Sequence, residues 1–207
     1  MSTETHAAVA RLLSSNSQWA ADVHKSLPTF FKDSGKGQAP KILWIGCADS
    51  RVPESVVTAS KPGDIFVHRN IANQFHLDDD NAMSILAFAV DQVQVEHVFI
   101  VGHSECGGAA ASYNAVKSGV APSSTTPLGR WLSPLIKLAE SLGISEKPIS
   151  VALPAIVVAN VKRQVENVCK APTITNAWSQ KKNVWVHGLV YDLHTGRLDD
   201  LQVSRGP

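Results

Sequence analysis

The sequence predicts an α/β fold: a mostly parallel central β-sheet flanked by helices, with an N-terminal helical arm. Short apolar runs alternate with segments of helical spacing, which is typical of a parallel sheet covered by helices. The 207 residues are enough for one sizeable core, and 44% of them are hydrophobic and 18% charged, as in ordinary globular proteins. We therefore interpret residues 1–207 as a single domain, in which residues 1–38 form the arm.

The arm begins the chain. Residues 4–31 show helical spacing, but their apolar positions repeat only loosely, so we expect this helix to pack on another surface rather than to build its own core. A loop rich in glycine and ending in Pro40 follows. The apolar positions of the arm are Val9, Leu12, Leu13, Trp19, Val23 and Leu27.

Three apolar runs in the first half of the chain predict strands that are buried on both faces. They cover residues 41–47, 64–69 and 97–103, and residues 79–95 between the last two show helical spacing. Strands that alternate with helices pair in parallel, so these runs predict a mostly parallel sheet.

The second half of the chain predicts more helices and the edge of the sheet. A segment rich in Ser, Thr, Pro and Gly at residues 118–127 predicts a surface loop. Two final strands, at residues 184–191 and 198–203, are joined by a turn, so the last one is expected to be antiparallel. Helices are predicted from Cys106 to about Lys117 and over residues 128–142, 154–168 and 174–181.

Charge and hydropathy exclude several functions. The formal net charge is +1 and the basic residues are scattered, so we expect no nucleic-acid partner. No apolar run is long enough to span a membrane. The first ten residues contain Glu4 and His6 and lack the basic start and apolar core of a signal peptide, so we expect a cytoplasmic protein.

Three of the residues predict a metal site. The chain has three cysteines, and an odd number favours metal binding or catalysis over a disulfide framework. Cys47 ends the first predicted strand, His103 ends the third, and Cys106 follows at the start of a helix, so all three reach the same edge of a parallel sheet. Two thiolates and one imidazole suit zinc, and three protein ligands leave a fourth position open for water or substrate, as in catalytic sites.

Two charged residues follow Cys47 closely. Asp49 and Arg51 at this spacing are consistent with a simple ion pair within a loop. Beside a metal, however, a carboxylate held by a guanidinium can accept a hydrogen bond from an attacking hydroxide and orient it. Cys169 has no motif around it, and we interpret it as structural or exposed.

Five segments together resemble the β-class carbonic anhydrases. The resemblance runs from roughly residue 15 to residue 203. It rests on the two signature segments Cys-Ala-Asp-Ser-Arg (47–51) and Gly-His-Ser-Glu-Cys-Gly-Gly (102–108), and on the stretches 62–64, 68–73 and 186–192.

The resemblance implies an enzyme that catalyses the reversible hydration of carbon dioxide to bicarbonate and a proton. It implies one zinc ion per chain on Cys47, His103 and Cys106, with Asp49 and Arg51 as the catalytic pair. It also implies an obligate homodimer, often doubled into a homotetramer, in which the N-terminal helix covers the partner subunit.

One position decides the subclass. Plant-type members have Gln just before the Pro-Gly pair, whereas this chain has Lys61 there. The chain therefore resembles the bacterial-type subclass, in which the aspartate, here Asp49, can move onto zinc and close the site. Trp44, Arg69 and Tyr191 match the residues that form a second, non-catalytic bicarbonate site in that subclass.

Two alternatives remain open at this point. The same scaffold can hydrolyse carbon disulfide or carbonyl sulfide, and the access path to the metal would decide between those substrates. A catalytically silent zinc-binding relative is the other alternative, although none of the five site residues is lost. No histidine is identified as a proton shuttle.

Overall fold

The computed structural model describes residues 3–207, and their side chains from residue 6 onward. Met1 and Ser2, which belong to the predicted arm, lie outside the described residues. The chain separates into two compact units, Met1–Gln38 and Ala39–Pro207.

The first unit consists of helix α1 (Thr3–Ser26) and helix α2 (Phe30–Ser34). The single helix predicted over residues 4–31 is therefore two helices. Pro28 explains the break, because proline has no N–H group and its ring disfavours helical geometry at the residue before it. The rings of Trp19 and Phe31 meet edge to face at 5.7 Å across this break.

The second unit is built on a five-stranded sheet of order β2-β1-β3-β4-β5. The first four strands are parallel, and β5 runs antiparallel to β4 at the edge, as the sequence predicted. The last strand is shorter than predicted, since Gln202 adopts a left-handed backbone conformation (φ 58°) just beyond it. The strands are β1 (Ile42–Cys47), β2 (Ile65–Asn70), β3 (His97–His103), β4 (Trp185–Asp192) and β5 (Arg197–Asp200).

Helices cover the sheet in the pattern expected of an α/β fold. Helix α4 continues into a π-helical turn, Phe88–Val93, and a 3₁₀ turn at Ile71–Asn73 follows β2. Helix α7 begins five residues before Pro154, the residue that the sequence had suggested as its start. The helices are α3 (Glu54–Val57), α4 (Asp80–Ala87), α5 (Gly107–Ser118), α6 (Pro127–Ser141), α7 (Ile149–Lys170) and α8 (Pro172–Ser179).

Two hydrophobic clusters form the core of this unit. One packs strand residues such as Leu43 and Ile100 against buried side chains of α4, α7 and α8. The other joins buried side chains of α5, α6 and α7 to the two cysteines Cys47 and Cys106. The second cluster therefore ties the predicted metal ligands directly into the core. Within residues 3–207, no helix has the length and apolar character needed to cross a membrane.

Candidate metal centre

The ends of β1 and β3 bring two of the predicted ligands to one edge of the sheet. β1 lies between β2 and β3, with Gly46 paired to Arg69 on one side and to Val101 on the other. Cys47 is thus the last residue of an inner strand, and the N–H of Ala48 donates to the carbonyl of Asn70 at 2.8 Å, which fixes the chain as it leaves the sheet.

A tight turn after β3 places Cys106 next to His103. β3 ends at His103, and Glu105 adopts a left-handed conformation (φ 54°) before Cys106 returns to extended geometry as the N-cap of α5. A non-glycine residue in the left-handed region is uncommon and marks a turn that the surroundings hold in place. The turn therefore brings the His103 imidazole and the Cys106 thiol to the same place.

The three predicted ligands converge. A sulfur from Cys47, a ring nitrogen from His103 and a sulfur from Cys106 all lie within 4.8 Å of one another, and all three residues are buried. No second group of three potential metal-binding side chains occurs among the described residues.

The orientation of His103 provides the test of whether this group fits a metal. Its Nδ1 lies 2.8 Å from the carbonyl of Ser104, and since a carbonyl only accepts, Nδ1 carries the proton. Nε2 is then left with a free lone pair, and it is buried without a hydrogen-bond partner. Metal-bound histidines characteristically use one nitrogen for the metal and donate the other to a carbonyl or carboxylate. The donor set of two sulfurs and one imidazole is the one that zinc prefers.

The two sulfurs are electrostatically unequal. A hydrogen bond from Cys106 lowers the pKa of the Cys47 thiol to about 4, against the opposing effect of burial, and His103 and the backbone N–H groups of Asp49 and Ala72 lower it further. The same bond to Cys47, together with burial, raises the pKa of Cys106. Burial works to lower the pKa of His103, but the negative charge of the neighbouring Cys47 thiolate outweighs burial and raises it. Binding of a metal ion would release the thiol protons of this group, because cysteine binds metals as the thiolate and histidine binds them as the neutral imidazole.

Asp49 and Arg51 form the pair that the sequence predicted. Arg51 donates Nε to Asp49 Oδ1 at 2.9 Å and Nη2 to Oδ2 at 2.7 Å, and its backbone N–H also donates to Oδ1 at 2.9 Å. These bonds hold the pKa of Asp49 well below its usual range. Oδ2 lies 3.8 Å from His103 Nε2, so the carboxylate faces the metal group while Arg51 holds it.

Arg69 has a role that the sequence did not reveal. It donates Nε to the carbonyl of Cys47 at 2.7 Å and Nη2 to the carbonyl of Asp49, and Nη1 lies 3.9 Å from Glu54 Oε2. It therefore holds the backbone of the loop that carries both a metal ligand and the acidic residue. No sequence spacing signals a contact between a strand residue and a loop so far away along the chain.

The three residues of the predicted second bicarbonate site lie on one face of the sheet but are not joined by hydrogen bonds. The strand register places Trp44, Arg69 and Tyr191 on the same face of the sheet. Gly46 leaves room for the Trp44 indole, since a Cβ there would lie 2.3 Å from Nε1. Among the described residues, no hydrogen bond joins Arg69 to Trp44 or Tyr191, so this site stays a prediction.

Residues that the sequence left without a role lie outside the metal group. Cys169 is half-buried near the end of α7, where burial raises the pKa of its thiol to about 11. His187 stacks on Phe99 and is linked by hydrogen bonds to His97 and Ser204. The His68 ring nitrogen lies 3.2 Å from the side-chain nitrogen of Asn70 rather than at the metal group.

Comparison with known proteins gives this geometry a context. The family model described as carbonic anhydrase matches residues 42–198. A carbonic anhydrase of Emericella nidulans is 31% identical over 200 residues, which is 94% of this chain and 83% of that protein. A structure from work on two tetrameric β-carbonic anhydrases of Sordaria macrospora is 35% identical, with a TM-score of 0.86 over 96% of this chain and 98% of that one.

A hydrolase on the same scaffold is a more distant neighbour. The apo form of a carbon disulfide hydrolase is 19% identical, with a TM-score of 0.53 over 90% of this chain and 91% of that one. At this identity the likeness shows the fold alone.

Proposed function

The chain belongs to the carbonic anhydrase family, in its β class, and from this premise we propose that Cys47, His103 and Cys106 hold its zinc ion while Asp49 and Arg51 serve catalysis. The enzyme catalyses the reversible hydration of carbon dioxide to bicarbonate and a proton, and zinc is its cofactor. The observation that carries the ligand assignment is the buried, partnerless Nε2 of His103 beside two buried sulfurs.

Zinc in such a site lowers the pKa of water and so supplies a hydroxide nucleophile. Asp49 is ionised throughout a neutral to alkaline working range, and Arg51 lowers its pKa further, so Asp49 acts only as a hydrogen-bond acceptor. An acceptor beside the metal group orients the nucleophilic O–H and directs its lone pair at carbon dioxide. Cys47 and Cys106 bring two negative charges to the metal, which makes water there less acidic than three neutral imidazoles would, so we expect an alkaline working range.

Arg51 also decides whether the site is open. In the observed arrangement two side-chain hydrogen bonds hold Asp49 on Arg51, so a zinc ion held by Cys47, His103 and Cys106 would remain accessible to substrate. Oδ2 is 3.8 Å from the Nε2 of the metal-binding histidine, so a modest movement would make Asp49 itself a ligand and exclude water. We assign the observed arrangement to the active state and the second arrangement to a closed state.

A second bicarbonate site remains part of the proposal. Arg69 offers a charged fork for a planar anion, and Trp44 and Tyr191 on the same sheet face offer one donor each. Arg69 already holds the carbonyls of Cys47 and Asp49. An anion that draws Arg69 away would release the loop bearing Asp49, so product bound there would favour the closed state.

The active enzyme is proposed to be a homodimer or a homotetramer. In support, α1 exposes large apolar side chains, including Leu12 (60% exposed), Leu13 (63%) and Trp19 (45%), and water-exposed apolar side chains in one helix favour a protein partner. A second copy of the chain is the partner that we propose, with the arm covering the neighbouring subunit. The similar Sordaria macrospora enzymes are tetrameric, which supports this assembly.

We place the enzyme in the cytoplasm, acting on carbon dioxide and bicarbonate without a nucleic-acid or membrane partner. The three cysteines are free thiols, and metal binding by Cys47 and Cys106 requires that they stay reduced, as they do in the cytoplasm. The near-neutral formal charge of +1 supports the absence of a polyanionic partner.

A direct rate comparison tests the substrate assignment. Hydration of carbon dioxide is followed by stopped flow, and hydrolysis of carbon disulfide by sulfide release, on the same preparation before and after chelation of the metal. We expect rapid hydration that chelation abolishes and zinc restores, and no sulfide. Sulfide release without hydration would replace the carbonic anhydrase assignment by the hydrolase, and zinc binding without either activity would indicate the silent relative.

A further inference from the structure

The 3₁₀ turn after β2 contains a strained backbone. Ala72 lies in the left-handed region (φ 64°, ψ 32°), and Asn73 follows it there (φ 46°). Alanine rarely adopts this conformation, because its Cβ comes too close to the following carbonyl oxygen. Such residues persist only where the surrounding structure fixes them, and they cluster at functional sites.

Helix α7 provides the groups that fix this turn. Asn160 donates Nδ2 to the carbonyl of Ala72 at 2.8 Å, and Gln164 donates Nε2 to Asn160 Oδ1 at 2.8 Å. The N–H of Phe75 donates to Gln164 Oε1 at 3.0 Å. Asn160 and Gln164 are each only 3% exposed, and neither is used by the zinc ligands or by the Asp49–Arg51 pair.

The other side of the turn touches the metal centre. Ala72 is 1% exposed and packs in the same cluster as Cys47 and Cys106, and its Cβ would lie 2.9 Å from a Cβ built on Gly108. The backbone N–H of Ala72 is close enough to the Cys47 thiol to contribute to lowering its pKa. The direction of that N–H depends on the left-handed geometry of Ala72, which the Asn160 bond to the next peptide group stabilises.

We propose that Asn160 is a positioning residue for the zinc site, which holds the Ala72 carbonyl so that the Ala72 N–H stays on Cys47 Sγ. The inference rests on the proposed zinc site. Groups that hydrogen-bond to metal ligands fix the position of the ligand and tune its donation to the metal, and their loss typically costs about 10- to 100-fold in metal affinity or activity. Asn160 acts one step further out, through the peptide of Ala72, so we expect the lower part of that range.

The experiment compares Asn160→Leu with Asn167→Leu. Asn167 lies on the same helix and donates Nδ2 to the Phe75 carbonyl at 3.0 Å, so its loss removes a bond from helix α7 to the same segment without touching Ala72. Zinc affinity is measured on each full-length variant by competition with a chromophoric chelator. We expect affinity to fall about tenfold in Asn160→Leu and to change less than twofold in Asn167→Leu.

A spectroscopic measurement separates positioning from a general loss of stability. In protein loaded with ¹¹³Cd, the amide proton of Ala72 should show scalar coupling to the metal through Cys47 Sγ, and Asn160→Leu should lose it while Asn167→Leu keeps it. Asn160→Ala provides the same comparison if the leucine variant does not fold. A wild-type chain that binds no zinc would overturn the metal site and this inference together. If the Asn160 variants keep the zinc affinity and the coupling of the wild type, only the proposed role of Asn160 is overturned.

Discussion

Replacing Arg51 by leucine should close the site without emptying it of metal. The change removes the two side-chain bonds to Asp49, at 2.9 and 2.7 Å, and keeps the bond from the Arg51 backbone N–H. Exposed ion pairs contribute about 0.2–1 kcal/mol, and buried hydrogen bonds to charged groups about 1.5–3 kcal/mol. The Arg51 side chain is 52% exposed and that of Asp49 16%, so we expect an effect between these limits, a factor of about ten.

The assay is stopped-flow hydration of carbon dioxide together with zinc content. We expect kcat/KM of Arg51→Leu to fall roughly tenfold with about one zinc still bound per chain. Arg51→Lys, which keeps the charge but not the two-pronged contact, should lie between this variant and wild type. Arg163→Leu, a change at an exposed position of α7, is the matched control and should behave as wild type.

The pH dependence gives a further check on Asp49. Its pKa is lowered by Arg51, so the pair contributes stability that is present above the ordinary carboxyl pKa of about 4 and is lost as the pH falls below it. Asp49 remains ionised near neutral pH even without Arg51, so the activity lost in Arg51→Leu should not return at alkaline pH. Full recovery at high pH, or a kcat/KM within about twofold of wild type, would refute this reasoning.

Three further predictions concern other parts of the molecule. Leu13→Glu should lower the sedimentation coefficient while the exposed control Ser14→Glu does not, and an unchanged oligomer would exclude the arm as an interface. The double variant Trp44→Phe and Tyr191→Phe should weaken inhibition by bicarbonate at fixed pH. Unchanged inhibition in a folded variant would show that both residues serve only in packing. Burial lowers the pKa of His187, so folding stability should decline as the pH falls below about 6.5, the ordinary value. His187→Phe should therefore lose less Tm between pH 8 and pH 5.5 than wild type does, and an equal loss would contradict this.

Much of the fold follows from local patterns in the sequence. The runs ending at Cys47 and His103 are mostly apolar because those strands are covered on both faces, and the structure confirms both as strands of a parallel sheet. Parallel strands deliver their carboxyl ends to one edge, which is why three distant positions could be predicted to meet. Their convergence in a buried group agrees with that prediction.

What the sequence could not supply depends on contacts between distant segments and on backbone geometry. Nothing in the sequence places Arg69 or Asn160 beside the metal centre, and only the folded chain shows that they hold the carbonyls of Cys47 and Ala72. The left-handed conformation of Ala72 is equally invisible, since alanine does not favour it. Pro28 is a local sequence signal for the break in the arm. The loose apolar spacing nevertheless continues past Pro28, and for that reason the sequence predicted a single helix over residues 4–31.

The most direct test of the zinc site compares Cys106→Ser with Cys169→Ser. Both changes replace one sulfur by oxygen, but Cys106 lies in the metal group and Cys169 lies outside it near the end of α7. Zinc per chain and the rate of carbon dioxide hydration are measured on both variants. We predict that Cys106→Ser loses most of its zinc and activity while Cys169→Ser keeps about one zinc per chain and the wild-type rate. Full zinc content and a normal rate in Cys106→Ser would contradict the assignment of the site.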